Sequence, residues 1–206
     1  MYLFIVTYDN IHNNTLIYME KILKKLMKIR TFLLIIGSIH SLSVFAINYE
    51  IIVDISEQRL FIVENNNIIE SFPVSTSKYG EGEIENSFKT PLGMHEIKEK
   101  IGDGAKINTI FVSRINTQKQ TEIISIRKDT EDDHVTSRIL WLDGLEEGIN
   151  KGPGVDSYNR YIYIHGTHEE GLIGEKASHG CIRMFNNDVI YLYDIVNKGT
   201  KVYIKA

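Results

Sequence analysis

HGTHEEGLIGEKASHGCIRM, residues 165–184, carries the one cysteine of the chain, Cys181. His165 opens the stretch, and His179 stands two residues before the thiol. The run Tyr161-Ile162-Tyr163-Ile164 leads into His165 and predicts a strand that ends on it. A strand ending in His, a Gly-rich loop and then Ser-His-Gly-Cys can bring an imidazole to a thiol. A free thiol has a pKa of about 8.5, and an adjacent imidazolium can pull it to roughly 3.5–7.5. The thiolate attacks carbonyls and forms thioesters. Gly180, with no Cβ, lets the backbone turn sharply and lets a substrate come close. That would aim the N–H groups around Cys181 at a developing oxyanion. A lone cysteine is more often a small buried hydrophobe. The flanking His-Gly, the second histidine and the export signal below favour the reactive reading.

The stretch resembles the signature of the L,D-transpeptidase catalytic domain, or YkuD, family. That signature is a His, a spacer, Ser/Thr-His-Gly-Cys, a hydrophobic residue, then Asn or Arg. His165 and Ser178-His179-Gly180-Cys181-Ile182-Arg183 supply it here. The spacer is short and Arg183 stands where some members have Asn, as in the subgroup that reads SHGCIRM. The resemblance runs from about Tyr49 to Ile204. It implies a mainly β fold, sandwich-like or barrel-like, with a short helix near the site.

Length and charge set the frame. The chain has 206 residues, enough for one domain plus an appendage. Its 43% apolar content and three prolines fit a β-rich globular domain rather than disorder. The first 46 residues hold five basic and two acidic side chains, leaving an acidic remainder without a Lys/Arg patch. This argues against nucleic-acid binding. Residues 27–46 read as a signal peptide: Lys28 and Arg30 are basic, Thr31 to Ala46 is apolar, and Val44-Phe45-Ala46 suits cleavage. The apolar run is short for a membrane span. The expected organisation is a targeting region over 1–46, with translation starting at Met27, and a catalytic domain over 47–206 in the periplasm or cell envelope. An uncleaved anchor is the lesser alternative.

Along the rest of the chain, Tyr49–Ile55, Arg59–Glu64 and Ile68–Val74 predict a β-meander, turned by Ser56-Glu57-Gln58 and Asn65-Asn66-Asn67. Thr90-Pro91-Leu92-Gly93 predicts a turn and His95–Ile101 a strand. Thr109–Ile115 and Glu122–Ile126 are further strand candidates. The acidic run Asp129–Asp133 reads as solvated surface, and His168 as an exposed loop residue. Ser137–Leu142 predicts a strand with Trp141 in the core. Residues 148–160 predict an exposed loop. Asn186-Asn187-Asp188 reads as an N-cap, with Val189, Leu192, Tyr193 and Val196 at helical spacing and Gly199 as the stop. Thr200–Ile204 predicts a closing strand. His95 reads as a strand histidine, with a third active-site imidazole as the alternative.

The resemblance implies roles. Cys181 is the nucleophile, His165 the base, and the Gly166 carbonyl orients the imidazole. Ser178, His179 and Gly180 shape the site and the oxyanion hole, and Arg183 holds a substrate carboxylate or, equally, makes a salt bridge within the fold. No metal or cofactor is implied. The implied substrates are peptidoglycan stem tetrapeptides. The acyl group passes to a diaminopimelate amine in a 3→3 cross-link, to a lipoprotein lysine, or to water. Carbapenems are expected to acylate the thiol. Three alternatives stay open: an L,D-carboxypeptidase using the same pair, a non-catalytic wall-binding module, and a metal site from His165, His168, His179 and Cys181.

Overall fold

The computed structural model describes residues 19–28 and 49–206. Residues 19–28 are helical and form α1. Most of the expected signal segment, 29–46, lies outside the described residues. Among those described, no helix is long and apolar enough to cross a membrane.

The chain divides after Ala46, and the second unit, Ile47–Ala206, carries the signature. Its strands are β1 (Tyr49–Asp54), β2 (Arg59–Glu64), β3 (Asn67–Pro73), β4 (Gly93–Ile101), β5 (Thr109–Val112), β6 (Ile115–Gln120), β7 (Val135–Gly144), β8 (Tyr163–Thr167), β9 (Ile182–Met184) and β10 (Lys201–Lys205). One helix, α2 (Asn186–Ile195), interrupts the last two. The order is β3-β2-β1-β10-β4-β7-β5-β6, with β8 joined to β7 and β9 joined to β8.

The meander forms as its sequence predicts. Asn65 and Asn66, at φ 49° and 63°, make the two-residue turn between β2 and β3. Asparagine tolerates the left-handed conformation that matches the twist of such a hairpin. Alternation in β1 and β2 puts Ile51, Val53, Leu60 and Ile62 into a core shared with Leu140, Leu142, Ile164 and Ile182. Full burial of one such side chain contributes about 1.5–3 kcal/mol. On α2, Val189, Leu192 and Tyr193 face the same core, with Val196 just beyond its end.

β7 is the organising strand. It pairs with β4 along one edge and with β8 along the other, and β5 joins it at Val135 and Thr136. Ser137, at φ 60°, lies where the β7–β8 register slips. This bulge lets one strand serve both β4 and β5. β8 and β9 run parallel, pairing Ile164 with Ile182 and His165 with Arg183.

Several local expectations differ from the structure. Thr109–Ile115 is not one strand: Ser113 and Arg114, at φ 47° and 69°, turn β5 back into β6. Glu122–Ile126 forms no strand; Ile124 instead bonds the His168 carbonyl (2.8 Å) and accepts from Gly171 (2.9 Å). The N-cap of α2 is Phe185, with no side-chain cap, and α2 stops at Ile195. Asn186 is free of capping duty because Glu170 takes its N–H (2.8 Å). Gly199, at φ 87°, belongs to the turn into β10.

Candidate active site

The register of β8 and β9 brings the signature together. Arg183 lies opposite His165, so Cys181, two residues earlier, falls beside Tyr163. Side chains two apart on a strand share a face, which places Tyr163, His165, Cys181 and Arg183 on one side. The Tyr163 N–H points at Cys181 Sγ (3.4 Å), and Sγ lies 3.4 Å from the Tyr161 carbonyl. Behind the sulfur stand Trp141 and Tyr163, edge to face with ring centroids 5.5 Å apart. Trp141 also stacks on Tyr158 at 4.0 Å. Trp141 is thus core and the rear wall of the site at once.

His165 is buried, and its Nδ1 lies 2.7 Å from the Gly166 carbonyl. A carbonyl only accepts, so Nδ1 carries the proton and Nε2 keeps its lone pair. Gly166 has a second reason to lack a side chain. A Cβ there would stand 2.5 Å from Asn186 Oδ1 and 2.9 Å from the Thr136 carbonyl. Asn186 ties the start of α2 to the site: Oδ1 accepts from Thr136 and Ser137 (2.6 Å each), and Nδ2 donates to the Thr167 carbonyl (2.7 Å).

The turn before the thiol is clamped from outside. Ser75 and Arg183 exchange backbone hydrogen bonds (2.8 and 2.9 Å), and Lys78 donates to the Ser178 carbonyl (3.0 Å). Ser178 Oγ donates to the Cys181 carbonyl (2.6 Å) and accepts from Gly180 N–H (3.2 Å). Gly180 has φ 120°, a conformation that L side chains rarely adopt. A Cβ there would reach 3.3 Å from the Lys89 carbonyl.

Asp133 is exposed, as its acidic run predicts, and it also pairs with two residues of the signature. Its Oδ2 lies 2.8 Å from His179 Nδ1 and its Oδ1 2.7 Å from Arg183 Nη2. Burial works to raise the Asp133 carboxyl, but the charge and hydrogen bond of Arg183, with help from His165 and His179, hold it at about 2. Arg183 is 1% exposed and also pairs with Glu169 at 2.9 Å, itself 1% exposed. Its guanidinium is therefore enclosed between two carboxylates of the fold, and the salt-bridge alternative describes it better than the substrate-carboxylate role. His168 is buried, not exposed, with its ring 4.7 Å from His134 and Nε2 3.2 Å from Thr130 Oγ1. His95 is buried and hydrogen-bonded to Ser157 Oγ (2.9 Å) and the Gly93 carbonyl (3.0 Å), as a strand histidine. No cluster among the described residues has a metal-holding arrangement.

Burial disfavours charge on both His165 and Cys181. Burial pushes the Cys181 thiol up to about 12, and the Asp133 charge adds to it. Burial likewise lowers the His165 imidazole, against the opposing pull of Asp133. Burial thus opposes the expected thiolate and imidazolium alike. A groove of about 250 Å³ is bounded by Phe88, Asn159, Arg160, Tyr161, Ile162 and His179, the last from the signature. Arg160 holds its rim by donating to the carbonyls of Glu83 (2.7 Å) and Lys89 (2.6 Å).

The comparisons with known proteins agree on one family. The YkuD profile, described as the L,D-transpeptidase catalytic domain, matches residues 48–204. A probable L,D-transpeptidase, ErfK/SrfK of Salmonella typhimurium, is 28% identical over 155 residues, 75% of this chain and 43% of that protein. A putative L,D-transpeptidase, YkuD of Bacillus subtilis, is 56% identical over 41 residues, 20% of this chain and 25% of its own length. The chain thus spans less than half the length of these curated relatives. Among solved structures, an L,D-transpeptidase from Mycobacterium smegmatis superposes with a TM-score of 0.50 at 18% identity, covering 78% of this chain and 59% of that one. With a profile match over more than half its length, the chain belongs to the L,D-transpeptidase catalytic domain (YkuD) family.

Proposed function

We propose that this protein is an exported L,D-transpeptidase that uses Cys181 as nucleophile on peptidoglycan stem tetrapeptides. The observation that carries the reading is the His165–Gly166 hydrogen bond on β8, next to the strand that Cys181 immediately precedes. It leaves one nitrogen, Nε2, as the base. His165 Nε2 takes the Sγ proton as the sulfur bonds to the carbonyl carbon of the L-to-D amide. The carbonyl electron pair moves onto oxygen. Gly180 N–H is engaged by Ser178, so the N–H groups of His179 and Cys181 are the oxyanion donors. Collapse breaks the C–N bond, and His165 returns its proton to the leaving amine of D-alanine. A second amine then attacks the thioester and restores the thiol.

Forming a thiolate here is costly, because burial pushes the Cys181 thiol up to about 12. Proton transfer coupled to carbonyl attack avoids a free thiolate. A diaminopimelate amine as acceptor yields a 3→3 cross-link, a lipoprotein lysine attaches protein to the wall, and water makes the enzyme a carboxypeptidase. We further propose that residues 1–46 are the targeting region, with a signal peptide over 27–46, and that 47–206 form the catalytic domain of the periplasm or cell envelope. The start of the family match at residue 48 supports this division. Carbapenems belong among the expected acylating inhibitors.

Incubation with a tetrapeptide muropeptide, with and without an acceptor, followed by mass spectrometry of protein and products, tests the reading. A thioester adduct on Cys181, lost in Cys181→Ala, is expected, and His165→Ala should slow its formation by roughly 100-fold or more. Product formed at the wild-type rate by Cys181→Ala would overturn the mechanism.

A further inference from the structure

Arg114, Arg160 and Arg183 all lie in the neighbourhood of Tyr163 and Cys181, and two of them are already committed. Arg183 is shut between Glu169 and Asp133, and Arg160 is spent on backbone carbonyls. Arg114 differs. It is partly exposed, and among the described residues it pairs with no carboxylate; its polar partner is the Tyr163 hydroxyl, at 3.1 Å. Its guanidinium lies over Trp141 (4.7 Å to the ring centroid) and over Tyr161 (4.8 Å). Aromatic faces hold the plane of a guanidinium while leaving its edge donors available.

The backbone carries an independent sign. Arg114 occupies a two-residue hairpin turn at φ 69°, a position that usually takes glycine or asparagine. Strained non-glycine residues of this kind cluster at ligand sites. The turn places the arginine where its side chain reaches back to Tyr163, whose own N–H faces Cys181 Sγ. The guanidinium is therefore one tyrosine side chain away from the sulfur.

We infer that Arg114 binds the free α-carboxylate of the residue released when the thiol attacks. The inference rests on the L,D-transpeptidase reading above. In that reaction the leaving group is a single C-terminal D-amino acid. Its carboxylate then lies only one residue beyond the carbonyl under attack, and Arg114 and the sulfur are linked through the single residue Tyr163. A guanidinium offers such a carboxylate two parallel hydrogen bonds. This role was expected of Arg183, which the fold encloses.

The test compares the tetrapeptide ending in free D-alanine with the same peptide ending in D-alaninamide. Wild type, Arg114→Lys and Arg114→Ala are assayed as the full chain, by mass spectrometry of the released residue. Thermal melts show that each variant is folded. Wild type should prefer the acid by roughly 10- to 100-fold in kcat/KM. Arg114→Ala should lose that preference while turning over the amide within a few-fold of wild type, and Arg114→Lys should keep part of it. Equal losses on both substrates in Arg114→Ala would make the residue structural and overturn the inference. So would a wild type that does not distinguish acid from amide. A wild type that cleaves neither peptide overturns the L,D-transpeptidase reading itself, and the inference with it.

Discussion

Replacing Asp133 by asparagine probes the charge network that supports the site. The substitution keeps the shape and removes one negative charge from between Arg183 and His179. The carboxyl is held at about 2 against an ordinary 3.8, a depression worth roughly 2.5 kcal/mol. The Asp133 side chain is 29% exposed, so water screens part of this and about 1–2 kcal/mol is the expected loss. Arg183 keeps Glu169, which stops the loss from reaching the roughly 3–5 kcal/mol of a fully orphaned buried charge. A lowered folded-state pKa stabilises above the unfolded value and ceases to do so as pH falls through the folded value. The gap between wild type and Asp133→Asn should thus be constant above about pH 5 and shrink from about pH 4 towards 2. Urea unfolding at pH 7, 4 and 3 measures it. A second readout is the pH profile of Cys181 alkylation by iodoacetamide. Asp133 raises the thiol, so its neutralisation should move that profile to lower pH. Equal urea midpoints at pH 7, a gap undiminished at pH 3, or an alkylation profile that stays in place would each refute the network.

Further outcomes follow from buried histidines and from the crowding at Gly166. His95 is lowered by burial to about 4, against the opposing effects of the Gly93 carbonyl and Glu146, and burial also lowers His165 and His168. Their folded-state values lie below the unfolded one, so stability is full above about pH 6.5 and falls with acidification; His95 alone accounts for about 3 kcal/mol by pH 4. Thermal melts of His95→Gln should depend less on pH between 7 and 5 than those of wild type, and parallel curves would refute this. Gly166→Ala drives a Cβ to 2.5 Å from Asn186 Oδ1 and should cost about 1–3 kcal/mol or more. A drop of at least roughly 3 °C in Tm is expected, and an unchanged Tm would show that α2 yields freely.

Local sequence carries the parts of the fold whose causes are local. The alternation in Tyr49–Asp54 and Arg59–Glu64 suffices to place Ile51, Val53, Leu60 and Ile62 inside. Asn65-Asn66 makes its turn from its own backbone preferences. His165 and the Ser-His-Gly-Cys run are legible because their types and spacing recur in the family. The break at Ser113-Arg114 is not legible, since neither residue is a usual left-handed one and Thr109–Ile115 reads as a single apolar run. Glu122–Ile126 has strand composition, but Ile124 spends its backbone on His168 and Gly171 instead.

The sequence alone determined which residue types are on offer for the proposed chemistry, because a thiol, an imidazole and a glycine turn are present whatever the fold. The tertiary structure decided which charges serve the site and which serve the scaffold. Asp133 and Arg183 are 50 positions apart in the chain and meet only when the segment before β7 passes β9. An arginine beside the thiol looks available until packing encloses it between Glu169 and Asp133. Ion pairing falls off with distance and grows with burial, and neither quantity exists before the strands are assembled.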